Sequence, residues 1–295
     1  MTLLERCTKG EILVADGGMG TMLFERGLRP GMSPESFLLA HPETVREVSR
    51  EFLAAGADIL HTNTFGGSPL KLAEYGLADK TEEINRTAAE IVREVAGNVA
   101  IVAGSCGPSG RFMEPYGEVP EAEMRDNFRQ QVEALVKGGI DVLTVETMMD
   151  VREATVAIQA AKEVAADLVV IASMTFDETP KGFYTVMGTN IEEAAAVLEN
   201  AGANIVGSNC GDGIEKMVKI ADAFRSVTSL PVLIQSNAGK PEAGSGGLIY
   251  PESPEFFAEN VATLVESGVA IIGGCCGTTP AHIRAIREVV DRAQR

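Results

Sequence analysis

The sequence predicts an α/β chain folded as a single (β/α)₈ TIM barrel, one domain over residues 1–295. Three observations predict it. Short apolar, β-rich runs alternate eight times with longer helical stretches. One local plan recurs: a helix end, a glycine near its C-cap, then a strand. No Pro/Gly/Ser linker or low-complexity segment divides the chain. An open doubly wound sheet is the alternative that the same alternation allows.

The strand candidates in order are EILVAD (11–16), DILHTNT (58–64), VAIVAGSC (99–106), DVLTVET (141–147), LVVIASMTF (168–176), NIVGSNC (204–210), PVLIQSN (231–237) and VAIIGGC (269–275). Their near-continuous apolar character suits a parallel sheet buried on both faces. Between them lie amphipathic patterns such as PETVREVSREFLAAG, EAEMRDNFRQQVEALVKGG and SPEFFAENVATLVESG. The recurring plan is read in FLAAGADIL (52–60), LVKGGIDVL (135–143), LENAGANIV (198–206) and LVESGVAII (264–272).

With 25 basic against 42 acidic residues, the net charge is −17. So acidic a surface argues against nucleic acid or an anionic membrane as a partner. No run reaches membrane-spanning length, and MTLLERCTKG carries no signal-peptide core, so a cytoplasmic location is expected. Five cysteines, an odd number in a chain of this size, point to metal or catalytic use and away from a disulfide framework.

A barrel puts its chemistry at the C-terminal ends of its strands. Those ends read Asp16-Gly17-Gly18, Thr62-Asn63-Thr64, Cys106-Gly107, Glu146-Thr147, Thr175-Phe176, Asn209-Cys210, Ser236-Asn237 and Cys275-Cys276. Neighbouring residues of a regular strand face opposite ways, so Cys275 and Cys276 converge only if the strand has ended, which Gly273, Gly274 and Gly277 permit. Cys210, Cys275 and Cys276, with one strand between them, then form a Cys₃ site for zinc with a fourth position open to substrate. A single strand-end cysteine is more simply a small buried apolar residue. That is the reading for Cys106, across the barrel, and Cys7, before the first strand, is incidental.

The other polar residues support fewer readings. His41 precedes a helix, His61 lines the barrel or its core, and His282 sits in the first turn of the last helix. No HxH or HExxH occurs, and DGGMGT (16–21) has neither phosphate-loop nor dinucleotide-fingerprint spacing. Asp16 and Glu146 can cap the helices that follow them. They can equally face an ammonium, while the Gly17 and Gly18 amides hold a carboxylate. Both groups together define an amino acid. An amino acid that also supplies the fourth metal ligand is an amino-acid thiol, and its chemistry is S-alkylation, because coordination ionises a thiol that is mostly protonated at neutral pH.

DGGMGT, TNTF, GPSGR, ETM, SNCG and GGCCGTTP occur in the order found in the homocysteine S-methyltransferase family, which the chain resembles along essentially its whole length. The resemblance is closest to the homocysteine-binding domain of cobalamin-dependent methionine synthases. It implies zinc (Zn²⁺) on Cys210, Cys275 and Cys276 with the homocysteine thiolate as fourth ligand, and Asp16, Gly17, Gly18 and Glu146 around the amino-acid end. It further implies methylation of homocysteine to methionine from methylcobalamin, free or on a separate corrinoid protein. The chain departs from the pattern in three ways. It ends after the barrel, so the folate and cobalamin modules are expected to be absent. Ser208 stands where an apolar residue is usual, and SCG at 105–107 puts a thiol into a rim loop. S-methylmethionine or betaine is the alternative donor, and a non-catalytic metal- or thiol-binding partner of a corrinoid protein the alternative role. Phe65, Phe112, Tyr116 and Phe176 are candidates to line the mouth.

Overall fold

A computed structural model describes residues 1–244 and 247–295. Eight parallel strands form the barrel: β1 (Leu13–Val14), β2 (Ile59–His61), β3 (Ile101–Cys106), β4 (Val142–Met148), β5 (Val169–Met174), β6 (Ile205–Cys210), β7 (Val232–Ser236) and β8 (Ile271–Gly274). They neighbour one another in chain order, and β8 pairs with β1 through Leu13↔Ile271. The last gap closes where Ala15 bridges Ile59. The sheet is a ring, so the open doubly wound alternative falls.

All eight expected strands are present, seven of them shorter than expected and β4 shifted by one residue to end at Met148. β1 keeps two residues because Asp16 has already turned its side chain toward β2, and β8 stops at Gly274, leaving both following cysteines outside the strand. Eight helices cover the ring: Pro42–Ala54, Thr81–Ala96, Glu121–Lys137, Val151–Val164, Ile191–Ala201, Ile214–Val227, Pro254–Glu266 and Pro280–Ala293. Two antiparallel hairpins, Asp177–Thr179 with Gly182–Tyr184 and Glu242–Gly244 with Gly247–Ile249, rise from the loops after β5 and β7. No described helix is long and apolar enough to cross a membrane.

The recurring plan has a physical purpose. Asp58, Asp141 and Asn204 hold the same place in three copies, just before a strand. Each accepts a backbone N–H from the preceding strand: Val14 to Asp58 Oδ2 at 2.9 Å, Val102 to Asp141 Oδ2 at 2.8 Å, Val170 to Asn204 Oδ1 at 2.9 Å. Strand-start N–H groups at the bottom rim are thereby satisfied at the seam between strands. Asp58 does more, gathering Arg6 and Arg287 at 3.0 and 2.9 Å and so tying both chain ends to the β1–β2 closure.

Inside the ring, Leu13, Ile59, Ala103, Val142, Ile171, Ile205, Leu233 and Ile271 make an apolar layer. The short helix Leu3–Thr8 plugs it from below with Leu3. Cys7 packs there, at the end opposite the strand termini, where burial pushes its thiol up to about 11. Above this layer the inward residues become polar: His61, Ser105, Thr144, Ser173 and Gln235, all buried. Polarity thus rises toward the C-terminal mouth.

Candidate metal centre and amino-acid pocket

Cys210, Cys275 and Cys276 meet at that mouth, with their three Sγ atoms all within 4.8 Å of one another. Cys210 ends β6 at φ +70°, a left-handed conformation that costs a non-glycine residue about 1–3 kcal/mol. Cys275 and Cys276 occupy a turn pinned to β7, by Cys275 N–H to Ser236 O at 2.7 Å and Ala238 N–H to Cys276 O at 3.0 Å. The turn exits through Gly277 at φ +79°, where a Cβ would also collide with the Tyr250 ring that packs on it. Broken strand geometry is therefore what brings adjacent thiols to one point. All five cysteines are free.

The thiols are unequal. Hydrogen bonds from Cys275 and Cys276, and a further one from Asn237 Nδ2 at 3.5 Å, favour the Cys210 thiolate. Their hydrogen bonds to Cys210, followed by burial and charge, push Cys275 well above the thiol range, and Cys276 to about 11. One proton leaves easily; the others stay while no cation offsets the charge. A soft divalent cation is what such a donor set fits, three sulfurs at one corner each of a tetrahedron.

Asn209, fully buried beside Cys210, ties this cluster to β4. Its Nδ2 reaches Cys275 Sγ at 3.8 Å, and Ser173 Oγ donates to its Oδ1 at 2.7 Å. β4 carries a bulge here: Val145 pairs with Ala172 and Met148 with Met174, so three steps on one strand face two on the other. Thr147, in the bulge, has φ +59°. The irregularity aims Glu146 inward, where Ser105 Oγ donates to Oε1. Burial pushes the Glu146 carboxyl above the usual range, although the His61 charge and Ser105 pull it back. Among the described residues no hydrogen bond reaches Oε2.

Asp16 is 2% exposed, and both its oxygens are engaged by His61, Oδ2 by the backbone N–H at 2.8 Å and Oδ1 by Nδ1 at 2.7 Å. Neither carboxylate caps a helix. Gly18 begins the helix Met19–Glu25 with no side-chain cap, and Asp150 caps the helix after β4 through the Arg152 N–H at 2.8 Å. The capping alternative falls for both. Gly18 donates to Thr278 Oγ1 at 3.1 Å, and a Cβ on it would stand 2.6 Å from the Cys275 carbonyl. The DGG and GGCCGTT segments are thus one packed unit. The Gly17 amide has no partner among the described residues.

Cys106 is packing: buried and facing the helices, it donates to Gln131 Oε1 at 3.3 Å. His282 caps its own helix and touches Glu252 O at 3.0 Å, and His41 stacks on Phe37. Ser208 Oγ is buried without a partner among the described residues. Phe65, Phe112 and Tyr116 are exposed on rim loops, but Phe176 is 3% exposed and packs edge-on against Phe224 at 5.8 Å. Phe176 belongs to the helix–sheet core, because it is the side of the strand exit that faces outward. The bracing roles of Asn209, Thr147 and Asn237 had no distinct signal beyond their place next to strand-end residues, and the His61–Asp16 contact had none.

The profile of the family described as homocysteine S-methyltransferase matches residues 13–290. The chain is 30% identical over 298 residues to a methionine synthase of Mycobacterium leprae, and 31% identical over 301 residues to that of Mycobacterium tuberculosis. These alignments cover 95% and 96% of the chain but 24% and 25% of the relatives, so it spans about a quarter of their length. Among solved structures, the metallated homocysteine methyltransferase MmuM of Escherichia coli superposes with a TM-score of 0.81. That match covers 97% of this chain and 99% of the other at 24% identity, a likeness of fold.

Proposed function

The chain belongs to the homocysteine S-methyltransferase family, and from that premise we propose that it is a zinc-dependent enzyme that methylates homocysteine to methionine. One observation carries the reading: three thiols within 4.8 Å of each other share a barrel mouth with two inward carboxylates. Cys210, Cys275 and Cys276 would hold the metal. Bound there, zinc would supply a Lewis acid that ionises an incoming thiol at neutral pH.

The protein's own groups select and aim the substrate. Glu146 offers Oε2 to the ammonium, and that charge draws the Glu146 proton off. Asp16 adds the lone pairs that His61 leaves, since each carboxylate oxygen can accept two hydrogen bonds. The Gly17 amide, with Gly18 beside it, faces the substrate carboxylate. Homocysteine sulfur then attacks the methyl carbon. The sulfur–carbon bond forms as the donor–methyl bond breaks, that bond's electron pair leaves with the donor, and the thiol proton passes to solvent. Fixing both ends of the amino acid leaves the sulfur one approach, which is where orientation lowers the barrier.

The donor in this reading is a methylcorrinoid, free or on a separate protein, and the reaction is cytoplasmic. A broad donor is supported by the rim, where Phe65, Phe112, Tyr116, Met149, Met187 and Leu248 are exposed on loops at the C-terminal ends of the strands. The test is methionine formation from homocysteine across methylcobalamin, a methylated corrinoid protein, S-methylmethionine and betaine, with zinc quantified in each preparation. Faster turnover with either corrinoid supports the reading. Turnover with a small donor alone reassigns the donor, and none with any donor in zinc-loaded protein leaves a binding partner.

A further inference from the structure

Among the described residues, His61 is the one histidine buried beneath the pocket. It lies on β2 at 8% exposure, one layer below the thiols, with its ring fixed at both nitrogens: Nδ1 to Asp16 Oδ1 at 2.7 Å and Nε2 to Thr144 Oγ1 at 3.1 Å. Its backbone N–H holds the other Asp16 oxygen at 2.8 Å. One residue thus grips both ends of the carboxylate and sets the plane in which its free lone pairs face the mouth.

We propose that His61 is a positioning residue of the amino-acid pocket: as an imidazolium it holds Asp16 in place and offsets its charge, leaving Glu146 as the uncompensated carboxylate that takes the substrate ammonium. The proposal rests on the homocysteine reading of the site. Two carboxylates sharing this mouth with no cation would repel each other, which makes ionising both unfavourable. A histidine on Asp16 offsets one of the two charges, so that only the Glu146 proton is left for the substrate ammonium to displace. The charged groups that face the ring are Asp16 at the end of β1 and Glu146 on β4, while β3 sets Ala103 beside it and brings no charge. Burial is the largest single influence and favours the neutral ring, but the Asp16 charge, the Asp16 hydrogen bond and the Glu146 charge together outweigh it, and His61 ends above the ordinary histidine range. Thr144, whose hydroxyl can accept, suits a ring that donates at both nitrogens.

The experiment uses the zinc-loaded chain, with His61→Leu and His61→Gln compared against it. The chain has three histidines, so long-range ¹H–¹⁵N spectra resolve the His61 ring, assigned by its loss in either variant. Both ring nitrogens of His61 are expected to be protonated at pH 7. His61→Leu is expected to raise the homocysteine KM about tenfold and leave kcat within about twofold, the size of one lost charge-assisted contact. His61→Gln, which keeps an N–H for Asp16, is expected to recover part of that loss. A neutral His61 at pH 7 overturns the proposal, as does an unchanged KM in both variants. If His61→Leu does not fold, the Gln variant and the wild-type spectrum decide it. If the wild type fails to bind homocysteine by calorimetry, the reading of the site fails and the pocket role falls with it; bound homocysteine with an indifferent KM refutes this proposal alone.

Discussion

Asn209 and Thr147 hold each other twice: the Thr147 N–H donates to Asn209 Oδ1, and Asn209 Nδ2 donates to Thr147 Oγ1, both at 2.7 Å. One side chain thereby closes the bulge of β4 and, from the same nitrogen, faces Cys275 Sγ. The bulge that places Glu146 and the thiol cluster are mechanically one object.

Asn209→Ala should loosen both. Its removal leaves the half-buried Thr147 N–H and the buried Ser173 hydroxyl without partners, costing about 1–3 kcal/mol for a fully buried group left unpaired. Zinc affinity should fall about tenfold or more, the usual effect of losing a group that orients a metal ligand. Urea unfolding and competition with a chromogenic chelator measure the two. Unaltered chelator competition would show that the Cys275 contact carries no weight.

Replacing Cys210, Cys275 or Cys276 by Ala should strip most zinc and activity. Cys7→Ala, at the opposite end of the barrel, should do neither. Metal analysis of the four purified variants decides it, and full zinc retention in Cys275→Ala would sink the assignment.

Glu146→Gln keeps the shape and the contact with Ser105 but removes the negative charge. A charge-assisted hydrogen bond contributes about 1.5–3 kcal/mol, so homocysteine affinity should drop about tenfold to a hundredfold with zinc content unchanged. Calorimetric titration reads the affinity, and metal analysis the zinc. Early melting with normal affinity would make Glu146 a structural residue.

Glu35 gives a pH test away from the chemistry. It is buried, accepts the Gly66 N–H at 2.6 Å, and burial pushes its carboxyl above the usual range despite that bond. A raised value in the folded state means its stabilising contribution is complete below the unfolded value near 4.5 and is lost as pH rises through the folded value. Glu35→Gln has no such loss. Its stability relative to wild type should therefore climb as pH rises above about 4.5, by at most about 1.4 kcal/mol for each pH step of one, and then level off. Urea midpoints at pH 5 and pH 7.5 test it; parallel behaviour at both would contradict the assignment.

Period and position made the ring legible from residues alone. Eight apolar runs can be counted, and the strand-end rule then gathers Cys210, Cys275 and Cys276 without coordinates. What stayed hidden is what depends on side-chain direction within the ring. His61 and Asp16 lie on adjacent strands but far apart in the chain, and nothing in DILHTNT announces that its histidine turns toward DGG. Phe176 misled for a related reason: a residue at a strand end can face either mouth or helices, and a departure of one residue from regular pleating exchanges the two. Asn209 was visible as a neighbour of Cys210, but its grip on Thr147 required the bulge, which has no sequence mark.

The closure at β1 has a kinetic meaning. Leu13 meets Ile271 across nearly the whole chain, through a strand of two residues, so this seam has the highest loop entropy to overcome and few backbone bonds to reward it. Cys275 and Cys276 follow the strand on one side of that seam, and Cys210 lies two strands away across β7. All three thiols therefore lie on one side of the seam, and a metal joining them would fix β8 to β6 across β7, leaving the β1 seam still to shut. Metal uptake during refolding would then time the docking of β8 onto β7, and metal-loaded protein would release β8 more slowly than the stripped form.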